Sequence, residues 1–171
     1  ALFVKPYGGV GQVEPVLCNI RDEASVAAAL QGADVVVNCV GVLAEIGKNS
    51  FAALQRDGAE RIARLAATHC VARLIHLSAI GADVESESLY SQTKAEGEQA
   101  VLAAFPAAVI LRPSIVFGAE DAFFNRFAAM SQFGPVLPII SAETKFQPVY
   151  VDDVAQAAVS GALGRVEPGI Y

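Results

Sequence analysis

Asp34-Val35-Val36-Val37-Asn38-Cys39-Val40-Gly41 is a run of β-branched apolar residues that stops at an asparagine and a glycine. Such a run is the signature of a strand buried on both faces of a parallel sheet, because helices cover both sides of it. Working outward, Phe51 to Thr68 follows, with Phe51, Leu54, Ile62 and Leu65 near helical spacing and Arg56, Arg61 and Arg64 on the wetter side, as a crossover helix requires. Arg73-Leu74-Ile75-His76-Leu77-Ser78 reads as the next strand and Ala107 to Arg112 as another, interrupted by Pro113. Between them, Leu89-Tyr90-Ser91-Gln92-Thr93-Lys94 opens a helical pattern that runs through Leu102. Upstream, Val13 to Cys18 reads as a short strand, and Asp22 is an N-cap for a helix from Glu23 to Gln31 that Gly32 closes. Downstream, Asp121 to Ser131 is helical and aromatic, with Phe123, Phe124 and Phe127 read as core, Phe146 to Val151 reads as a strand, and Asp152 or Asp153 caps a helix reaching Leu163. Strands alternating with helices of this length predict an α/β fold, a doubly wound parallel sheet.

Composition narrows the function classes. The chain has 171 residues, is 54% hydrophobic and carries a net charge of −6, which fits one globular domain with a substantial core. No basic patch is present, which argues against nucleic acid as a partner. No run approaches the ~18 apolar residues of a transmembrane segment, and nothing reads as a signal peptide. Cys18, Cys39 and Cys70 are odd in number and set in apolar sequence, so they are expected to be buried free thiols in a reducing compartment. No His or Cys spacing suggests a metal. His69 and His76 read as structural, and Asp83, Glu85 and Glu87 as a solvated loop. Gly8, Gly9 and Gly11 precede a strand instead of following one, so they read as turn residues and not as a phosphate loop.

Tyr90 and Lys94 stand four apart, which puts both side chains on one helix face. A cation beside the phenol would lower its pKa, so the tyrosine could exchange a proton with a carbonyl or alcohol while the lysine holds ribose hydroxyls. The plain alternative is a solvated i,i+4 pair, and the surrounding sequence decides between them.

A strand ending in Ser78, then Tyr90-x-x-x-Lys94, then Leu111-Arg112-Pro113-Ser114-Ile115-Val116-Phe117-Gly118, then Val149-Tyr150-Val151-Asp152-Asp153-Val154-Ala155 resembles an extended or atypical short-chain dehydrogenase/reductase. Asp121 to Met130, Phe133-Gly134-Pro135 and Gln147 to Val151 are similar to one branch of it, that of the NAD(P)H-binding accessory subunit of respiratory complex I (alpha-subcomplex subunit 9) and its bacterial relatives. The resemblance implies a Rossmann-like domain binding NAD(H) or NADP(H) across its strand ends, with Asn19 and Ile20 at the adenine. It puts Cys39, Val40 and Gly41 along the cofactor, Tyr90 and Lys94 at the nicotinamide ribose, and Pro113, Ser114 and Ile115 beside the nicotinamide. Plainer roles stand beside these: Asn19 a turn residue, Gly41 a strand stop, Pro113 a loop starter.

The same resemblance implies Tyr90, Lys94 and Ser78 as catalytic residues, although Ser78 falls one position early and Ala79 occupies the family's place. Gln55 stands where the family has Asn. Two function classes therefore stay open: a dinucleotide-bound module of complex I or another assembly, and a reductase or epimerase acting on a carbonyl, alcohol or sugar nucleotide. The implied location is the bacterial cytoplasm, peripheral at the inner membrane, or the mitochondrial matrix. Relatives open with a strand, a GxxGxxG-type turn and a helix. That βαβ unit is absent, so the 171 residues are expected to be a partial Rossmann domain whose missing strands lie between Val13–Cys18 and Asp34–Val40, with Gly169-Ile170-Tyr171 entering a further strand.

Overall fold

A computed structural model describes residues 2–132, 134 and 143–171. Phe133 and Pro135 of the branch-specific stretch lie outside the described residues. After a 3₁₀ turn at Leu2–Tyr7, the order is α1 (Glu23–Leu30), β1 (Val35–Asn38), a π-helical turn (Ala52–Arg56) running into α2 (Asp57–Thr68), β2 (Arg73–Leu77) and α3 (Leu89–Ala104). Then come β3 (Val109–Leu111), β4 (Val116–Phe117), α4 (Phe124–Ser131), β5 (Val149–Tyr150), α5 (Val151–Ala162) and β6 (Gly169–Ile170). Four strands form a parallel sheet in the order β1-β2-β3-β6, with Val35 opposite Arg73, Ile75 opposite Val109, and Val109 opposite Gly169. β4 and β5 pair separately, also parallel.

The alternation of side chains along the strands explains why helices cover both faces. Leu74 and Ile110 pack with Ala59, Ala63, Ala66 and Val101 of α2 and α3, while Ile75, Val109 and Leu111 pack against Ala157, Ala158 and Ala162 of α5. Small residues set the spacing: a Cβ on Gly161 would lie 3.1 Å from Ile75, so α5 rests directly on β2. Val26 and Leu30 tie α1 to Leu65 of α2, and the Asp22 carboxylate caps α1 by accepting from the Ala24 N–H at 3.1 Å.

Several expectations are corrected. Val13–Cys18 forms no ladder, and Val16 and Leu17 are exposed, since no described strand lies beside them to take their backbone groups. β1 is half-buried, not buried on both faces: Asn38 is inside, whereas Val35 and Val37 are 37% and 44% exposed, since β1 is the edge of the sheet among the described residues. All three cysteines are exposed free thiols, Cys18 in the unpaired segment, Cys39 just past β1 and Cys70 in the turn after α2, so the packing argument for a reducing compartment does not apply. No residue of α4 is buried. Its aromatics stack on one another and on neighbours, Phe123 with Phe127 and Phe146 at 5.3 and 5.6 Å and Phe117 with Tyr150 at 5.5 Å, making a surface cluster and not core. Tyr150 is the residue that caps α5, and Asp152 and Asp153 lie inside its first turn, where they favour the positive end of the helix dipole.

Candidate functional site

The parallel strands all end on one side, and the loops leaving β1, β2 and β3 there form a crest that α3 borders. Lys94 is drawn into it. Its residue is 5% exposed, its Nζ donates to the Leu77 carbonyl at 3.2 Å, and a Cβ on Gly41 would stand 3.3 Å from that nitrogen. The ammonium thus sits between the ends of β1 and β2. Burial lowers the Lys94 pKa, and Glu98, one turn on, opposes the shift.

Tyr90 lies in the first turn of α3, half-buried, with the Phe51 ring edge-on at 5.7 Å. Burial raises its pKa. The expectation of a phenol acidified by its neighbour is corrected on this point: the Lys94 ammonium is turned to the Leu77 carbonyl, and desolvation is what acts on the phenol. Ser78 lies just past β2, its N–H donating to the Leu111 carbonyl at 2.7 Å and its buried hydroxyl without a partner among the described residues.

A buried polar chain lies beneath. Asn38 Oδ1 accepts from the Val40 N–H at 3.1 Å, which turns its Nδ2 toward His76 Nδ1, 3.0 Å away. Because the amide nitrogen donates, Nδ1 must accept, and the neutral ring's proton resides on Nε2. That Nε2 is buried and has no partner among the described residues. Burial first, then the Lys94 charge, lowers the His76 pKa to about 4, with Glu98 opposing. Glu98 is itself buried and clasps Arg112 through both oxygens, at 2.8 and 2.5 Å.

The remaining candidates fall around this crest. Asn19 forms a local turn, its Oδ1 accepting from the Arg21 N–H at 3.2 Å and its own N–H donating to Ser25 Oγ at 2.8 Å. Ile20 rests on Gly58 in the first turn of α2, where a Cβ would stand 2.9 Å from its side chain, and Arg61 donates to its carbonyl at 2.9 Å. That end of α2 follows the C-terminal end of β1, so Ile20 lies on the crest side. Cys39 and Val40 are exposed in the loop between Asn38 and Gly41. Pro113 accepts from the Ile80 N–H at 2.9 Å, and Ile115 from the Val149 N–H at 3.0 Å. Pro113 and Ser114 line an open, largely apolar cleft of about 450 Å³ with Ile80, Gln147 and Pro148. Sequence reasoning missed Thr93 and the π-helical turn, and it read His76 as structural without finding its Asn38 partner, which only strand register brings opposite.

Among the described residues, no three potential ligands converge as a metal site, and no helix is long and apolar enough to cross a membrane. A parallel sheet covered on both faces, with a lysine drawn to the crest from the following helix, defines an α/β domain of the Rossmann type. The chain belongs to the RmlD substrate binding domain family of atypical short-chain dehydrogenase/reductases, whose model matches residues 9–171.

Among its relatives, "NADH dehydrogenase [ubiquinone] 1 alpha subcomplex subunit 9, mitochondrial" of Arabidopsis thaliana is 40% identical over 159 residues, spanning 92% of this chain and 40% of that protein. "Ceramide reductase" of Caulobacter vibrioides is 31% identical over 168 residues, spanning 96% and 53%. The solved Bordetella bronchiseptica enzyme WbmG, in complex with NAD, superposes with a TM-score of 0.76 at 16% identity, over 96% of this chain and 58% of that one. The chain therefore spans about half the length of these relatives.

Proposed function

We propose that the protein binds a nicotinamide dinucleotide, NAD(H) or NADP(H), across the crest. In this reading Asn19 and Ile20 meet the adenine, the backbone of Cys39, Val40 and Gly41 runs along the cofactor, and Tyr90 and Lys94 hold the nicotinamide ribose. Pro113, Ser114 and Ile115 flank the nicotinamide. The 171 residues would be part of that domain, with the glycine-rich turn for the pyrophosphate outside them. The outer edge of β1, where Val35 and Val37 are exposed, supports that division.

The observation carrying the reading is Lys94. A buried ammonium has three donors and is costly without acceptors. Among the described residues one protein acceptor is on hand, the Leu77 carbonyl, beside a glycine that leaves room for a ligand. Ribose hydroxyls would satisfy the rest. The dinucleotide, when bound, supplies hydride chemistry. The protein's residues bind, orient and desolvate it.

Binding without required turnover is the leading function. Tyr90 has its pKa raised by burial, and Ala79 stands where the resemblance calls for a hydroxyl. The exposed aromatic cluster around α4 favours a module seated in an assembly, and the relative from Arabidopsis is named as a subunit of NADH dehydrogenase. Such a module would work in the bacterial cytoplasm, peripheral at the inner membrane, or in the mitochondrial matrix. The second reading, a reductase with Tyr90 as proton donor, is favoured by Tyr90 and Lys94 bordering one crest and by relatives named as reductases.

A thermal melt of the intact protein with NADH and NADPH tests the common premise. Ligand at ~100 Kd should add about 2.7 kcal/mol of stability, visible as a rise in melting temperature. No rise with either nucleotide would overturn both readings.

A further inference from the structure

The turn that leads into α1 decides which way one side-chain amide faces. Asn19 is held there by three hydrogen bonds. Its N–H donates to Ser25 Oγ at 2.8 Å, its carbonyl accepts from the Asp22 N–H at 2.9 Å, and its Oδ1 accepts from the Arg21 N–H at 3.2 Å. A backbone N–H only donates, so the amide oxygen must be the atom that faces Arg21. The Nδ2 group is left facing away, on an exposed residue and without a partner among the described residues. Turning the amide over would set two donors against each other and forfeit the bond to Arg21.

The neighbours of Asn19 are anchored as well. Ile20 rests on Gly58 of α2, and Arg61 donates to the Ile20 carbonyl at 2.9 Å. The Arg21 guanidinium reaches the Lys48 carbonyl at 3.4 Å, in the loop that follows β1. The turn therefore presents a fixed pair of hydrogen-bond donors at its outer side.

Purines differ in the property that such a donor reads. Adenine carries an exocyclic amino group, which donates, whereas hypoxanthine and guanine carry a keto oxygen at the same carbon, which accepts. A donor on the protein matches the keto oxygen and opposes the amino group. A polar group left facing the wrong partner is what allows a site to reject an analogue.

We propose that Asn19 is a specificity-determining residue, whose outward amide group makes the base end of the crest accept a keto purine at least as well as adenine. The proposal rests on the dinucleotide reading above, which puts the base at Asn19 and Ile20, and widens its ligand class to hypoxanthine dinucleotides. A change of one group sets the preference. In Asn19→Asp, which is nearly isosteric, one carboxylate oxygen keeps the Arg21 N–H. The other stands in place of Nδ2, as an acceptor that suits the adenine amino group and repels a keto oxygen. The added negative charge acts on the phosphates of either dinucleotide alike, so the ratio of the two affinities isolates the base contact.

Titration calorimetry of the intact protein with NADH and with reduced nicotinamide hypoxanthine dinucleotide reads that ratio. NADPH and its hypoxanthine counterpart are titrated beside them. In the unmodified protein the hypoxanthine form should bind more tightly than the adenine form or within about threefold of it. Asn19→Asp should shift the ratio toward adenine by about tenfold. Far-ultraviolet circular dichroism checks that the variant is folded, and the ratio in the unmodified protein tests the proposal should it not be.

An unmodified protein that favours adenine by more than about threefold, or a folded Asn19→Asp whose ratio moves by less than about threefold, would overturn the role of Asn19 and leave the dinucleotide reading standing. Binding of none of the four dinucleotides would overturn that reading, and this proposal with it.

Discussion

Acidification should destabilise this protein through one side chain, His76, well before its carboxylates protonate. Unfolded, an imidazole binds a proton below about pH 6.5; folded, His76 binds one only below about pH 4, since it is 1% exposed and lies near Lys94. Between those values the unfolded chain holds more protons, so stability falls as pH falls. The loss comes to about 2 kcal/mol between pH 7 and pH 5, and about 3 kcal/mol once both states are protonated. Glu98 moderates the shift and Lys94 strengthens it. Urea unfolding followed by circular dichroism reads the effect directly. With a denaturant slope of about 2 kcal/mol per molar, the midpoint should drop by about 1 M over that pH interval. His76→Leu should flatten the dependence whatever it does to absolute stability, because leucine takes up no proton in either state. A pH-independent midpoint, an equal drop in His76→Leu, or a His76 imidazole titrating near its ordinary value by NMR would refute the reasoning.

Glu98→Gln keeps the shape but strands the Arg112 charge. Breaking a fully buried pair costs about 3–5 kcal/mol, and because the Arg112 side chain is 35% exposed, about 2 kcal/mol is expected in urea unfolding at neutral pH. A loss under about 0.5 kcal/mol would mean that water already serves the guanidinium. Tyr90→Phe should leave melting temperature nearly unchanged, since the ring's contact with Phe51 survives, while weakening dinucleotide binding by the one hydrogen bond lost to the ribose and lowering any carbonyl reduction by about 100-fold or more. Reduction that persists in Tyr90→Phe would remove Tyr90 as proton donor.

What the sequence disclosed depended on whether the signal was local. Arg73 to Leu77 and Leu89 to Ala104 announce themselves, the first by a short apolar run and the second by periodicity, and both stand where the pattern put them. Val13 to Cys18 carries a similar apolar character, yet a strand exists only if another accepts its hydrogen bonds. The Phe51 to Thr68 pattern conceals its first turn, because one extra residue in a π-helical turn barely disturbs a hydrophobic stripe. Phe123, Phe124 and Phe127 suggest core, but they find one another at the surface instead. The Tyr90–Lys94 spacing gave the shared helix and missed the electrostatics, because the Leu77 carbonyl that claims the ammonium comes from another strand. Asn38 with His76, and Gln55 with Thr93, are pairings made by register and helix crossing, to which no local pattern points.

The sheet's parallel order has a consequence for how the chain is made. Every pairing in it joins strands separated by at least one helix, and β3 meets β6 only after α4 and α5 have been synthesised. Until Gly169 and Ile170 leave the ribosome, Val109–Leu111 presents a bare, wholly apolar edge to the cell. Non-local pairing of this kind is slow, and an uncovered edge is a template for the wrong strand. The time for which that edge stays bare is set by how quickly β6 arrives, and a synthesis pause placed between residues 112 and 168 would lengthen its exposure to chaperones and to aggregation alike.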